Sequence, residues 1–176
     1  QLCCETAGIQ RVRLSSLEPE RMTETVLDAL AALPAFCPQF HLSLQSGCDR
    51  TLKEMHRRYN TSEYAALCHA IRKRFPVCSI TTDLMVGFPG ETDADFAESL
   101  AFARKMQFAK IHVFRYSPRS GTPAAERTDQ IPDSVKHSRM LAMQQMEQTA
   151  RTAFLQSRVG MTLPVLFERE REATFH

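Results

Sequence analysis

Arg57 and Arg58 stand side by side in Met55-His56-Arg57-Arg58-Tyr59, at the end of a helical pattern. A guanidinium there could fork onto a carboxylate, while solvated charges complementing a helix end would need the same residue types. Leu44-Gln45-Ser46-Gly47-Cys48-Asp49 offers an amide at the end of an apolar run, then a flexible glycine and an aspartate able to cap a helix. Leu14-Ser15-Ser16-Leu17-Glu18-Pro19 places two hydroxyls where a strand gives way to a chain reversal, a place that turn chemistry alone also favours. Thr82-Asp83 leads into Gly87-Phe88-Pro89-Gly90-Glu91-Thr92, whose Pro-Gly pair suits a tight turn. Phe114-Arg115-Tyr116-Ser117-Pro118-Arg119 mixes aromatic and cationic side chains, a combination suited to stacking on a nucleotide or an RNA loop.

Several other chemistries fit poorly. The turn from Gly87 lacks the Gly-x-x-x-x-Gly-Lys pattern, and Glu91, Asp93 and Asp95 would repel a phosphate at the helix start. His41 and His112 have no His-x-His or His/Cys spacing, so they read as structural histidines and no metal ligand is expected in this chain. Met140, Met143 and Met146 read as helix packing. The six cysteines, at 3, 4, 37, 48, 68 and 78, never form Cys-x-x-Cys and are expected as free thiols.

The elements that must position these loops follow from periodicity. Four apolar, β-branched runs, 9–15, 40–45, 79–87 and 110–117, read as strands. Between them the period switches to that of a helix, over 23–33, 49–59, 61–75 and 92–106. Thr92 with Asp95 approximates a capping box. Thr61 is read as a simple N-cap, because Tyr64 stands where the reciprocal acid would be needed. After Pro132 a long helix carries Met140, Met143, Glu147, Ala150 and Phe154 at three- and four-residue steps and is expected to end at Gly160. Strands alternating with helices imply a parallel sheet with ligands at the carboxyl ends of the strands.

Composition agrees with a globular chain. Its 43% hydrophobic and 24% charged residues suffice for a core, which excludes a disordered tail. The 22 Lys and Arg nearly balance the 20 Asp and Glu, which disfavours non-specific nucleic-acid binding by this chain alone. No apolar run approaches the roughly 20 residues of a membrane span, and the start lacks a signal core, so a cytoplasmic location is expected.

In order along the chain, RVRLSSLEP, FHLSLQSGCD, MHRRY, TTDLMVGFPGET and HVFRYSPRSGTPAA resemble the radical S-adenosylmethionine methylthiotransferases, from about Gly8 through Ala125. FHLSLQSGCD and HVFRYSPRSGTPAA look most like the branch that methylthiolates threonylcarbamoyl-modified adenosine next to the tRNA anticodon; the branch acting on isopentenyl-modified adenosine is the alternative. The resemblance implies an α/β fold: a partial parallel (β/α) barrel of about four strand-helix units in 1–130, a long connecting helix in 131–160, and the first strand of a truncated TRAM-like domain in 161–176. It implies S-adenosylmethionine as cofactor and the tRNA anticodon loop as partner. Two 4Fe–4S clusters are implied in the full-length parent and none ligated here, since Cys3 and Cys4 do not match a Cys-x-x-x-Cys-x-x-Cys loop. The chain is therefore expected to be a fragment, inactive alone, whose exposed strand edge at 9–15 could pair in a homodimer.

By motif position, the resemblance puts Ser15, Ser16, Gln45 and Asp83 near the cofactor's ribose or amino-acid portion, Arg57 as its carboxylate clamp and Phe114 at its adenine. Arg57 is preferred to Arg58 because it matches the fixed position of Met-x-Arg-x-Tyr. Arg115, Tyr116 and Arg119 fall to the substrate side. A cluster-free lyase or aldolase would need a well-placed lysine, and Lys53 on a helix or Lys110 before a strand does not provide one. A non-catalytic RNA-binding module is the remaining class, opposed by the near-neutral charge.

Overall fold

The computed structural model describes residues 1–166 in full and, beyond them, the backbone of two short strands. Four strands form one parallel sheet in the order β1 (Ser16–Leu17), β2 (Gln39–Leu42), β3 (Ser79–Val86) and β4 (Lys110–Arg115). Around them lie α1 (Leu2–Glu5), α2 (Glu24–Ala31), α3 (Asp49–Glu54), α4 (Thr61–Arg74), α5 (Asp93–Met106), α6 (Pro123–Glu126) and α7 (Asp133–Gln156). The parallel α/β architecture expected from the alternating periods is therefore present. No helix is long and apolar enough to cross a membrane among the described residues.

The strands alternate sharply in burial, as a period of two requires. On β3, Ile80, Thr82, Leu84 and Val86 are buried, while Ser79, Thr81, Asp83 and Met85 are only half-buried. The buried set joins Phe40, Leu42, Leu44 and Ile111 beneath Leu27, Tyr64, Ile71, Met106, Met143 and Met146 from the helices, one continuous core. Thr82 is fully buried yet satisfied: its hydroxyl donates to the Leu42 carbonyl at 2.6 Å and accepts from the Leu44 N–H at 3.1 Å. Tyr64 donates to the same Leu42 carbonyl at 3.1 Å, and burial pushes its hydroxyl pKa well up. The opposite, polar set of β-sheet side chains is thereby left facing away from the helices. The methionines of α7 pack as expected, with Met143 and Met146 in the core and Met140 against it.

Four sequence expectations change. The run 9–15 forms only a single bridge, Val12 to Phe36, and the ladder begins at Ser16. Its alternation is real, but Arg11 and Arg13 keep one side in solvent, and beyond the isolated Val12–Phe36 bridge β2 supplies pairing only from Ser16 with His41 onward. The helix read as 49–59 stops at Glu54, because His56 adopts a left-handed conformation, φ 56°, and turns the chain. The long helix ends at Gln156 and passes through turns before Gly160. The cap of α4 is Asn60 rather than Thr61: its side chain accepts from the Glu63 N–H at 2.8 Å while Glu63 accepts from the Asn60 N–H at 2.9 Å. Counting from Thr61 had put Tyr64 in the reciprocal place. The Thr92–Asp95 box forms as read.

Asn60→Ala is accordingly expected to cost about 1 kcal/mol of unfolding free energy. Thr61→Ala should cost less, and paired urea titrations followed by circular dichroism would reverse that order if Thr61 were the cap. The expected TRAM-like strand in 161–176 falls partly outside the described residues; the backbone there shows Glu170–Arg171 pairing antiparallel with Thr174–Phe175.

Candidate functional site on the polar face of the sheet

Register alone assembles the site. Ser16 lies beside His41, His41 beside Thr81, Thr81 beside Lys110, Asp83 beside His112 and Met85 beside Phe114. All belong to the polar face, and they climb toward the carboxyl ends of the strands, where ligands of parallel sheets sit. Of the residues singled out from sequence, Ser16, Asp83 and Phe114 therefore share one face. Ser15 is exposed just before β1, and Arg115 is exposed at the end of β4. Arg119 is exposed in the following loop.

Gln45 sits at the upper rim in a left-handed conformation, φ 68°, unusual for a residue that is neither Gly nor Asn. Such a conformation costs on the order of 1 kcal/mol and persists where the surroundings enforce it. Here the Gln45 N–H donates to the Asp83 carbonyl at 2.9 Å and its carbonyl accepts from the Met85 N–H at 2.9 Å. Gly47 then passes so close to α5 that a Cβ would meet the Ser99 carbonyl at 2.8 Å, while its N–H donates to Ser99 Oγ at 2.9 Å.

The turn at His56 sends Arg57 back beneath Glu18, with Nη1 and Oε2 3.4 Å apart, and leaves Arg58 exposed. Arg57 Nε is buried and has no hydrogen-bond partner among the described residues. An orphaned guanidinium N–H beside a long, loose ion pair is a donor waiting for an acceptor. Neighbouring Tyr59 donates to the Ser43 and Leu44 carbonyls at 2.5 and 3.1 Å, and burial raises its hydroxyl pKa to about 12.

Charges lock the rim loops together. Arg50 forks onto Asp95 and donates to the Gly90 carbonyl at 2.6 Å, joining the loop after β2 to the turn after β3 and holding the Asp95 carboxyl well below the usual carboxylate range. Glu91, fully buried, accepts from the Gly87 N–H at 2.8 Å and from Arg139 Nη1 at 2.7 Å. That carboxylate occupies the turn's own amide, in keeping with the rejection of a phosphate loop. Arg127 ties Glu54 to Asp129, whose carbonyl accepts from the Gly90 N–H at 2.9 Å. Tyr116 does not join the open face: it is buried edge-on against Phe88, 5.4 Å between ring centres, with the Lys136 ammonium 5.6 Å from its ring.

The sequence reading missed this network. Lys136 and Arg139 are both buried, although both lie in step with Met143 and Met146 on one stripe of α7, which was the available signal. It also set His41 and His112 apart from the site, whereas their rings lie 5.7 Å apart beside Asp83.

Residues 2–103 match the radical SAM superfamily, more than half of the sequence. The chain belongs to the radical SAM superfamily. Curated relatives include the tRNA-2-methylthio-N(6)-dimethylallyladenosine synthases of Corynebacterium jeikeium, 45% identical over 81% of this chain and 28% of the relative, and Corynebacterium efficiens, 40% identical over 98% of this chain and 34% of the relative. The synthase of Maricaulis maris is 41% identical over 92% of this chain and 36% of its own length. The chain thus spans about a third of the length of these relatives. Among solved structures, coproporphyrinogen III oxidase from Escherichia coli shares the fold, with a TM-score of 0.60 and 21% identity over 86% of this chain and 34% of that one.

The radical SAM family implies S-adenosylmethionine and a 4Fe–4S cluster. The donor set fits the first: an orphaned Arg57 Nε suits a carboxylate, and the partly open Asp83 carboxylate suits hydroxyl or ammonium donors. It does not fit the second. Cys3 is exposed and Cys4 follows it on the single turn of α1, and among the described residues no three His, Cys, Asp or Glu side chains converge on a metal-sized site.

Proposed function

We propose that this chain is the cofactor-holding part of a tRNA methylthiotransferase, which transfers a methylthio group to an N6-modified adenosine next to the anticodon. The observation that carries the reading is the 40% identity of nearly the whole chain to the synthase of Corynebacterium efficiens. Bound S-adenosylmethionine, with a reduced cluster supplied outside these residues, contributes the hydrogen-abstracting chemistry. This chain's part is to bind and orient: Arg57 takes the cofactor carboxylate, Asp83, Ser15, Ser16 and Gln45 take its ribose or amino-acid donors, and Phe114 covers the adenine. Arg115, exposed at the carboxyl end of β4, and Arg119, exposed in the loop beyond it, take the RNA. Tyr116 reaches substrate only through displacement from Phe88 and Lys136, so its role on the substrate side is to support that loop.

The substituent on N6 is read as threonylcarbamoyl, from FHLSLQSGCD and HVFRYSPRSGTPAA. Dimethylallyl is the second reading, favoured by the names of the relatives. The full-length protein, reconstituted with iron and sulfide, should add a methylthio group to tRNA carrying threonylcarbamoyladenosine, detected by mass spectrometry of the digested nucleosides. Conversion of dimethylallyladenosine tRNA alone would replace the first reading by the second. Conversion of neither would overturn methylthiotransfer.

A further inference from the structure

We propose that His41 is a positioning residue that fixes the Asp83 carboxylate for cofactor binding through a chain of polar contacts across the polar face, Gln39 to Thr81 to His41 to Asp83. The inference rests on the cofactor site proposed above. Gln39 Nε2 lies 3.2 Å from Thr81 Oγ1, Thr81 Oγ1 lies 2.9 Å from His41 Nδ1, and His41 Nε2 lies 3.2 Å from Asp83 Oδ2. The Thr81 hydroxyl accepts from the Gln39 amide, and the acceptor-only Asp83 carboxylate favours the tautomer with the ring proton on Nε2, in which Nδ1 accepts the Thr81 proton. In that tautomer Nε2–H faces Asp83 Oδ2 across the 3.2 Å contact.

The surroundings support a positioning role. His41 is 16% exposed and Asp83 28%, so the contact is partly shielded while the carboxylate still meets solvent. Asp83 Oδ1 has no protein partner among the described residues, which leaves one oxygen free for a ligand hydroxyl or ammonium. The other groups near the pair are the His112 ring, 5.7 Å from that of His41, and Lys110 beside Thr81 in the register. Two adjacent backbone features hold the aspartate's own chain: the Gln45 N–H takes the Asp83 carbonyl, and β4 pairs along its whole length. With backbone and one carboxylate oxygen both fixed, the free oxygen has little freedom left, which lowers the cost of ordering it on a ligand.

The test is calorimetric titration of S-adenosylmethionine into the full-length protein and four variants. Asp83→Asn and His41→Leu should each weaken binding by about tenfold, the loss of one hydrogen bond to a charged group. His41→Gln, whose amide N–H can stand in for Nε2–H, should recover most of the loss. His41→Leu combined with Asp83→Asn should be no weaker than Asp83→Asn alone, because the histidine acts only through the carboxylate. Additive losses, or equal defects in the leucine and glutamine variants, overturn the proposal. Should His41→Leu fail to fold, Thr81→Val removes the hydroxyl alone and should still weaken binding measurably; unchanged affinity there counts against the chain. Absence of binding by the unmodified protein overturns the cofactor site itself together with this inference, an outcome distinct from normal binding that ignores His41.

Discussion

Arg139→Ala is expected to lower the unfolding free energy by about 3–5 kcal/mol, the range for removing one partner from a buried ion pair. The Glu91 side chain is 1% exposed and that of Arg139 7%. Nη1 serves both the Glu91 carboxylate, at 2.7 Å, and its carbonyl, at 3.0 Å, while Nη2 reaches exposed Asp93 at 2.7 Å. Burial already pushes the Glu91 carboxyl upward, opposed by the Gly87 N–H and by Arg139. Without the guanidinium, only one N–H would remain to hold a carboxylate out of water.

The pH dependence has a definite sign. A glutamate whose folded pKa is raised favours the folded state below its unfolded pKa and loses that contribution as pH rises through the folded value. Removing Arg139 raises the Glu91 carboxyl further, so the deficit of the variant should be greatest at neutral pH. It should narrow as pH falls toward the usual glutamate range, where Glu91 is protonated in both proteins. Urea titrations of parent and variant across that window check this. A loss under about 1 kcal/mol with no pH dependence would mean that the pair behaves as a surface bridge. The consequence reaches the site, because Glu91 holds the Gly87 N–H where β3 delivers Asp83 and Met85 to the rim.

How far the sequence carried can be traced to the range of each interaction. β2, β3 and β4 were legible because their alternation is local and their burial one-sided. The 92–106 helix was legible because both halves of its capping box lie within one turn. Asn60 was passed over for the neighbouring hydroxyl, a one-residue error that periodicity does not resolve. Ser16, Asp83 and Phe114 were gathered by motif order and do share a face, since parallel register keeps strand positions in step. Arg139 with Glu91 and His41 with Asp83 were not legible: the partners lie 48 and 42 residues apart, and only the packing of α7 and the strand pairing bring them together. The stop at Glu54 was equally hidden, because a left-handed His56 has no compositional mark of the kind a glycine gives.

That stop decides the second large effect. In the full-length protein Arg57→Ala is expected to weaken S-adenosylmethionine binding about ten- to hundredfold, the loss of a charge-assisted fork worth roughly 1.5–3 kcal/mol. Had the helix continued to Tyr59, Arg57 and Arg58 would both have been plausible helix-end charges. The turn instead commits them to different surroundings: Arg57 goes beneath the strand ends with a buried, unpartnered Nε, and Arg58 goes to solvent. Glu18 holds Arg57 only loosely, since the hydrogen bond from Nη1 is 3.4 Å long and the glutamate side chain is 47% exposed. A cofactor carboxylate would therefore meet a guanidinium already partly desolvated and aimed, with a weak partner to displace. Arg58→Ala should leave cofactor affinity nearly unchanged, and Arg119→Ala should weaken tRNA binding while sparing the cofactor, because its loop lies beyond the carboxyl end of β4. Calorimetry with cofactor and filter binding with tRNA separate the three. Parental cofactor affinity in Arg57→Ala would return that residue to the role of a helix-flanking charge and leave its buried Nε to be satisfied by water.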